Sequence, residues 1–303
     1  MRLRPLVLLL FAVLAAPARA GTPAVLATIK PVHSLVAAVM AGVGTPSLLI
    51  AGGSSGHSYV LKPSDARKIA AAQIVFWIGP DLETYLEGPL RNLAPDAHRV
   101  ALEVAPGVRR LSARPAGLWS APPQPAAKGN VNPHVWLDPG NATAMVRAIA
   151  ATLARADPGH TARYRSNANA EIARLAALDK RLKKILAPVQ RDPFIVYHDA
   201  YSYFTAHYGL KAIGSVTVEP GRPVGPRRVA RIRAALKAGE AVCIFREPQF
   251  PPALIDTLAR GTPARIGVLD PLGADLTPGP GLYPALMTRM ADALVACLAP
   301  GKS

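Results

Sequence analysis

Cysteine is scarce in this chain. Only Cys243 and Cys297 occur in 303 residues, and they lack the CxxC spacing of a compact metal-binding finger. No cysteine follows the apolar N-terminal run, so a lipid-anchored lipoprotein is not expected. Beyond that run, no uncharged segment approaches the roughly 20 apolar residues that a membrane span requires. Acidic residues are also few, 19 against 35 Lys and Arg, for a formal charge of +16. The HExxH and P-loop patterns are absent, so neither motif favours an enzyme. The basic surplus does not read as a nucleic-acid surface. Its residues are spread over helices (Lys180, Arg181, Lys183, Lys184; Arg227, Arg228, Arg231, Arg233, Lys237) without aromatic stacking platforms between them. A solvated basic face is the reading, one that also suits an anionic membrane surface or an acidic docking partner.

What is present begins with an export signal. Arg2 and Arg4 precede the unbroken apolar run from Leu6 to Ala16. Pro17 ends the run, and Ala18-Arg19-Ala20 forms an A-x-A cleavage pattern. Eleven apolar residues are too few for a span. Residues 1–20 are read as a cleaved signal peptide, with a soluble mature chain from Gly21 located in the periplasm. Losing Arg2, Arg4 and Arg19 lowers the charge from +16 to +13. In an exported chain, two cysteines point to one disulfide, Cys243–Cys297, rather than to metal ligands. Its loop of about 54 residues corresponds to about 4 kcal/mol in the chain-entropy model.

From Ala24 onward, apolar runs and helical periods alternate. Strands are expected at 25–29, 48–51, 74–78 and 99–104, with helices at 33–41, from 63, and from 81 to about 93. Such βαβα order implies a parallel sheet covered by helices. Residues 105–133 break the pattern with six prolines and read as an exposed loop. A helix follows from about 141 to 155. Between 161 and 187 the period is clear, with Ile172, Leu175, Leu178, Leu182, Ile185 and Leu186 three or four apart or adjacent on one face. A helix of that length spans about 40 Å and suits a bridge between lobes. Strands then recur at 194–197, 212–218, 241–246 and 265–269, with helices at 199–208, 226–238, 251–260 and 282–298. The expected fold is therefore α/β with two lobes, each a mostly parallel sheet flanked by helices. Residues 21–157 form the first lobe (with the loop 105–133), 158–188 the linking helix, and 189–303 the second lobe.

Histidine carries the chemistry. His57, His134 and His198 are each read at a strand-to-helix junction, where open α/β sheets bind ligands. Neutral imidazoles are good zinc ligands, and their wide separation suits a site assembled from distant loops across a cleft. Asp270 sits at another strand end and is a candidate fourth ligand, with water as the other. Glu247 can ligate, support a histidine or cap a helix. His33, His98, His160 and His207 are read as non-ligands. A catalytic zinc uses a similar donor set, so a secreted zinc hydrolase is the alternative from a different class.

Several stretches together resemble one family. They are Ile29-Lys30-Pro31-Val32-His33-Ser34-Leu35, His57-Ser58-Tyr59, Leu61-Lys62-Pro63-Ser64-Asp65, Val75-Phe76-Trp77-Ile78-Gly79-Pro80 and Pro133-His134-Val135-Trp136-Leu137-Asp138-Pro139. Tyr197-His198-Asp199-Ala200-Tyr201, Glu247-Pro248-Gln249-Phe250 and Leu269-Asp270-Pro271-Leu272-Gly273 complete the set. In order and spacing the chain resembles the zinc-binding substrate-binding proteins of ABC importers, the ZnuA-like members of the metal-binding cluster. The resemblance implies a metal in the interlobe cleft, ligands at His57, His134 and His198, Zn²⁺ as the transported ligand, and a membrane permease with a cytoplasmic ATPase as partners. A monomer that does not bind nucleic acid is expected. Cys243 and Cys297 match a disulfide found in part of the family. Relatives that bind manganese or iron tend to carry a carboxylate where His198 stands, so uptake of Mn²⁺ or Fe²⁺ is the alternative within the class. Two features depart from the pattern: the loop 105–133 has no histidine, and Gly56 replaces a glutamate that some members place before the first ligand.

Overall fold

The computed structural model describes residues 21–126, 129–217 and 223–299. The expected signal peptide lies outside the described residues. The first lobe is built on strands β1 (Val25–Ala27), β2 (Ser47–Leu48), β3 (Ile74–Trp77) and β4 (His98–Ala101), all parallel, in the order β2-β1-β3-β4. β3 is buried along its whole length, as an uninterrupted Ile-Val-Phe-Trp run requires when helices cover both faces. α1 (Lys30–Val39) is apolar nearly all round and is correspondingly enclosed; Pro31 opens its first turn, where a missing N–H costs nothing. α2 (Pro63–Ala71) and α3 (Glu87–Leu93) complete this half.

The second sheet has the order β5-β7-β6-β8-β9. β6 (Phe194–His198), β7 (Ala212–Thr217), β8 (Cys243–Arg246) and β9 (Arg265–Val268) run parallel. β5 (Gly117–Leu118) joins antiparallel to β7. This corrects the expectation for residues 105–133. The stretch is not a free loop. It adds an edge strand to the second sheet and is pinned further by the bridges Leu111–Pro125 and Ser112–Val131. A two-residue strand has no periodicity to read, so its pairing left no local signal.

α4 (Pro139–Ala156) begins at Asp138, whose carboxylate accepts the Gly140 N–H at 2.7 Å and so caps the helix. α5 (Thr161–Leu186) is the long helix, prefaced by a 3₁₀ turn at Pro158–His160. It buries a narrow stripe (Tyr164, Ala168, Glu171, Leu175, Leu178, Leu182, Leu186) and turns its basic face to solvent. α6 (Ser202–Tyr208), α7 (Pro226–Lys237), α8 (Ala253–Ala259) and α9 (Leu282–Leu298) surround the second sheet. α9 also crosses to pack on α1 and α5. One apolar cluster therefore runs through both lobes, from Leu26 and Val36 through Trp136 and Leu182 to Tyr283 and Leu294. A second, smaller cluster around Ile195, Ile232 and Ile255 fills the far side of the second sheet. Cys243 and Cys297 form a disulfide that ties β8 to the end of α9.

Candidate metal centre

His198 is the last residue of β6, so the strand delivers its ring to the carboxyl edge of the second sheet. His57 and His134 arrive differently from the expectation. His57 lies in an irregular loop well past β2, and His134 precedes a 3₁₀ turn (Val135–Leu137) with no strand before it. Of the three, only His198 ends a strand. The loop holding His57 bends so that Ser55 Oγ accepts the His57 N–H at 3.2 Å. Gly56 faces Leu82, whose side chain would lie 3.3 Å from a Cβ at that position, so a side chain there would press on Leu82.

The three rings converge. Among the described residues, their ligand atoms form a group lying within 4.8 Å of one another. His134 Nε2 is 3.1 Å from both His57 Nε2 and His198 Nε2. Imidazole nitrogens bound to one tetrahedral zinc at 2.0–2.1 Å stand about 3.3 Å apart, so the observed spacing is close to that of a loaded site.

The outer nitrogens settle the proton positions. Asn132 Oδ1 accepts from both His134 N–H, at 3.1 Å, and His134 Nδ1–H, at 2.9 Å. Its amide nitrogen is committed to the Asp199 carbonyl, so the amide cannot be reversed. Glu247 Oε1 accepts from His198 Nδ1–H at 2.8 Å, with both side chains buried. A neutral ring protonated at Nδ1 presents a bare lone pair at Nε2. Two such lone pairs 3.1 Å apart need a cation between them, a proton or a metal ion. Burial, and then the nearby His198, pushes His57 down to about 3; the same causes hold His134 well below the ordinary imidazole range. Both rings are therefore neutral at physiological pH, the form that binds metals.

Apolar groups close the centre. The cavity is about 10 Å³ and is lined by Gly56, Leu82, Trp136, Phe250, Pro271 and Leu272 beside the histidines, Glu247 and Gln249. Both halves of the chain contribute to it. Trp136 Nε1 donates to the Pro271 carbonyl at 2.9 Å, and the buried Lys30 ammonium donates to the carbonyls of Gly273, Ala274 and Leu276. The 270–276 turn of the second half is thus fastened to the first. Asp270 does not join the convergent group. Its carboxylate accepts the backbone N–H groups of Leu272, Gly273 and Ala274 and the side-chain N–H of Gln249.

Asn132, Arg114, Gln249 and Phe250 carry positions that sequence reasoning missed. Arg114, from the proline-rich segment, pairs with Asp199 at 2.6 Å, reaches Ser202 at 3.0 Å and lies over the Trp119 ring. Asp199 follows His198, and Asn132 precedes His134 by two residues, so this segment holds two of the three rings in place. The Asn-Pro-His order was the one available signal. The remaining histidines stand apart. His33 is buried, with Nε2 donating to the Pro46 carbonyl at 3.1 Å. His98 opens β4 and is exposed, while His160 pairs with Asp157. His207 bridges Asp138 and Asp179.

Two α/β halves joined by a long helix, with imidazoles converging between them, define the architecture of the metal-binding class of solute-binding proteins. Residues 25–297 match the family model described as zinc-uptake complex component A, periplasmic, and the chain belongs to that family. It is 42% identical to the high-affinity zinc uptake system protein ZnuA of Brucella abortus (strain 2308), over 90% of this chain and 91% of the relative. Identity to the protein of the same name from Paracoccus denitrificans (strain Pd 1222) is 36%, over 98% and 99%. The fold is shared with the periplasmic zinc binding protein TroA from Treponema pallidum, at a TM-score of 0.79 and 24% identity, over 92% of this chain and all of that one.

Proposed function

We propose that the protein captures Zn²⁺ outside the cytoplasm and hands it to an ATP-driven importer. His57, His134 and His198 are the ligands. The observation that carries this reading is the pairing of convergent Nε2 atoms with Nδ1 protons tied to Asn132 and Glu247. Neutral nitrogen donors favour zinc over Mn²⁺, which prefers oxygen. The role is binding: the histidines face a cavity of about 10 Å³, room for an ion. No helix among the described residues is long and apolar enough to cross a membrane. Residues 1–20 act as a cleaved export signal, and the mature protein works as a periplasmic monomer. A membrane permease with its cytoplasmic ATPase receives the ion.

The test is to dialyse metal-free protein against mixed Zn²⁺, Mn²⁺ and Fe²⁺ and measure the bound metal in wild type and His198→Ala. Zinc should dominate in the wild type and fall in the variant. Preferential manganese loading, or unchanged zinc in the variant, overturns the reading.

A further inference from the structure

Three imidazoles leave one corner of a tetrahedral ion open. We propose that the side-chain amide oxygen of Gln249 occupies that corner, and that Asp270 acts one step removed by orienting the amide. The proposal rests on the three-histidine reading above and deepens it.

Asp270 is already committed. Oδ1 accepts from Leu272 N–H at 3.0 Å, Gly273 N–H at 3.0 Å and Gln249 Nε2–H at 2.7 Å, and Oδ2 accepts from Ala274 N–H. Oδ1 thus takes three of these donors and Oδ2 the fourth, so both oxygens are engaged by the turn and the amide. Turning Asp270 toward an ion would release the turn whose carbonyls hold Lys30 at 2.7–3.1 Å.

The same contact fixes Gln249. Only the NH₂ end of an amide can donate to a carboxylate, so Oε1 must be on the opposite side. That oxygen is buried and has no hydrogen-bond partner, although Gln249 lines the cavity bounded by the three histidines. A buried acceptor left without a donor costs about 1–3 kcal/mol, and a cation in the cavity removes the cost. Glu247 also has an unpartnered oxygen. However, its carboxylate meets His198 at Nδ1, behind the ring and away from the converging Nε2 atoms. Water is the remaining candidate. The space beside the histidines is about 10 Å³, at the lower limit for one water, and the experiment below distinguishes a water from the amide oxygen.

Co²⁺ serves as the spectroscopic probe, with visible absorption reporting coordination and water-proton relaxation reporting a bound exchangeable water. In the wild type, Co²⁺ should give the intense bands of a four-coordinate site with no bound water. Gln249→Ala should open space, acquire a water and raise the relaxation. Gln249→Leu, similar in volume but without a donor, should weaken Zn²⁺ binding about tenfold or more. If Gln249→Leu fails to fold, as judged by metal-free melting, Gln249→Asn replaces it, because its shorter side chain withdraws the oxygen. A bound water in the wild type, or a donorless variant with unchanged affinity and spectrum, overturns the proposal. Failure of the wild type to bind zinc would instead sink the three-histidine reading.

Discussion

The bond between Glu247 and His198 offers a sharp test of the site. Glu247→Ala removes an acceptor 2.8 Å from His198 Nδ1, in a pair whose side chains are 1% and 5% exposed. Solvent cannot readily replace the lost oxygen. In the variant the ring is free to move its proton to Nε2 and present the wrong nitrogen, or to rotate away from His57 and His134. Carboxylate partners of metal-bound histidines are typically worth 10- to 100-fold in affinity, or about 1.4–2.7 kcal/mol. The assay is a Zn²⁺ titration in competition with a chromophoric chelator, with metal-free melting followed in parallel. The variant should bind zinc at least tenfold more weakly. Glu247→Gln keeps an oxygen able to accept from Nδ1–H, so its loss should be smaller. Glu247→Ala with a zinc affinity within twofold of wild type would refute the argument that the buried carboxylate sets the ring.

Four further outcomes are expected. Arg114→Met breaks an ion pair that is 10% and 7% exposed, so thermal or denaturant unfolding should show a loss of roughly 3 kcal/mol, and proteolysis within residues 105–133 should accelerate. His207 sits between Asp138 and Asp179, and hydrogen bonds to these carboxylates raise its pKa above the ordinary value. Its stabilisation is therefore complete below about pH 6.5 and lost as pH rises through the folded pKa, so denaturant melts should show His207→Gln costing more at pH 6 than at pH 9. Reducing Cys243–Cys297, which closes a 54-residue separation, should lower stability by about 4 kcal/mol in melts with and without reductant. Solution scattering of metal-free and zinc-loaded protein should nearly superimpose, because α5 and the shared apolar cluster resist hinge closure.

The layered architecture was legible because its signals are local. Val75-Phe76 and Ile195-Val196 announce buried strands, and the three-and-four spacing from Ile172 to Leu186 announces α5. His198 was legible for the same reason, as the end of an apolar run. The candidate site's supports were not. Asn132 looks like a loop residue until the fold places Asp199 beside its amide nitrogen. Asp270 can be read in two ways. A carboxylate after an apolar strand invites a ligand reading, yet Asp-Pro-Leu-Gly is also a turn whose first side chain takes up the following N–H groups. Strand β5 depends on a partner almost one hundred residues away, which no local pattern encodes.

The packing of α9 on α1 also bears on when the protein folds. α1 leaves the ribosome early, but its enclosure includes a helix at the far end of the chain, with Tyr283 N–H bonded to Ser34 Oγ at 2.9 Å. Until residues 282–298 emerge, α1 keeps an apolar flank bare. The fold is thus completed from its last segment backward. A chain of this design gains its full core only once its final helix is in place.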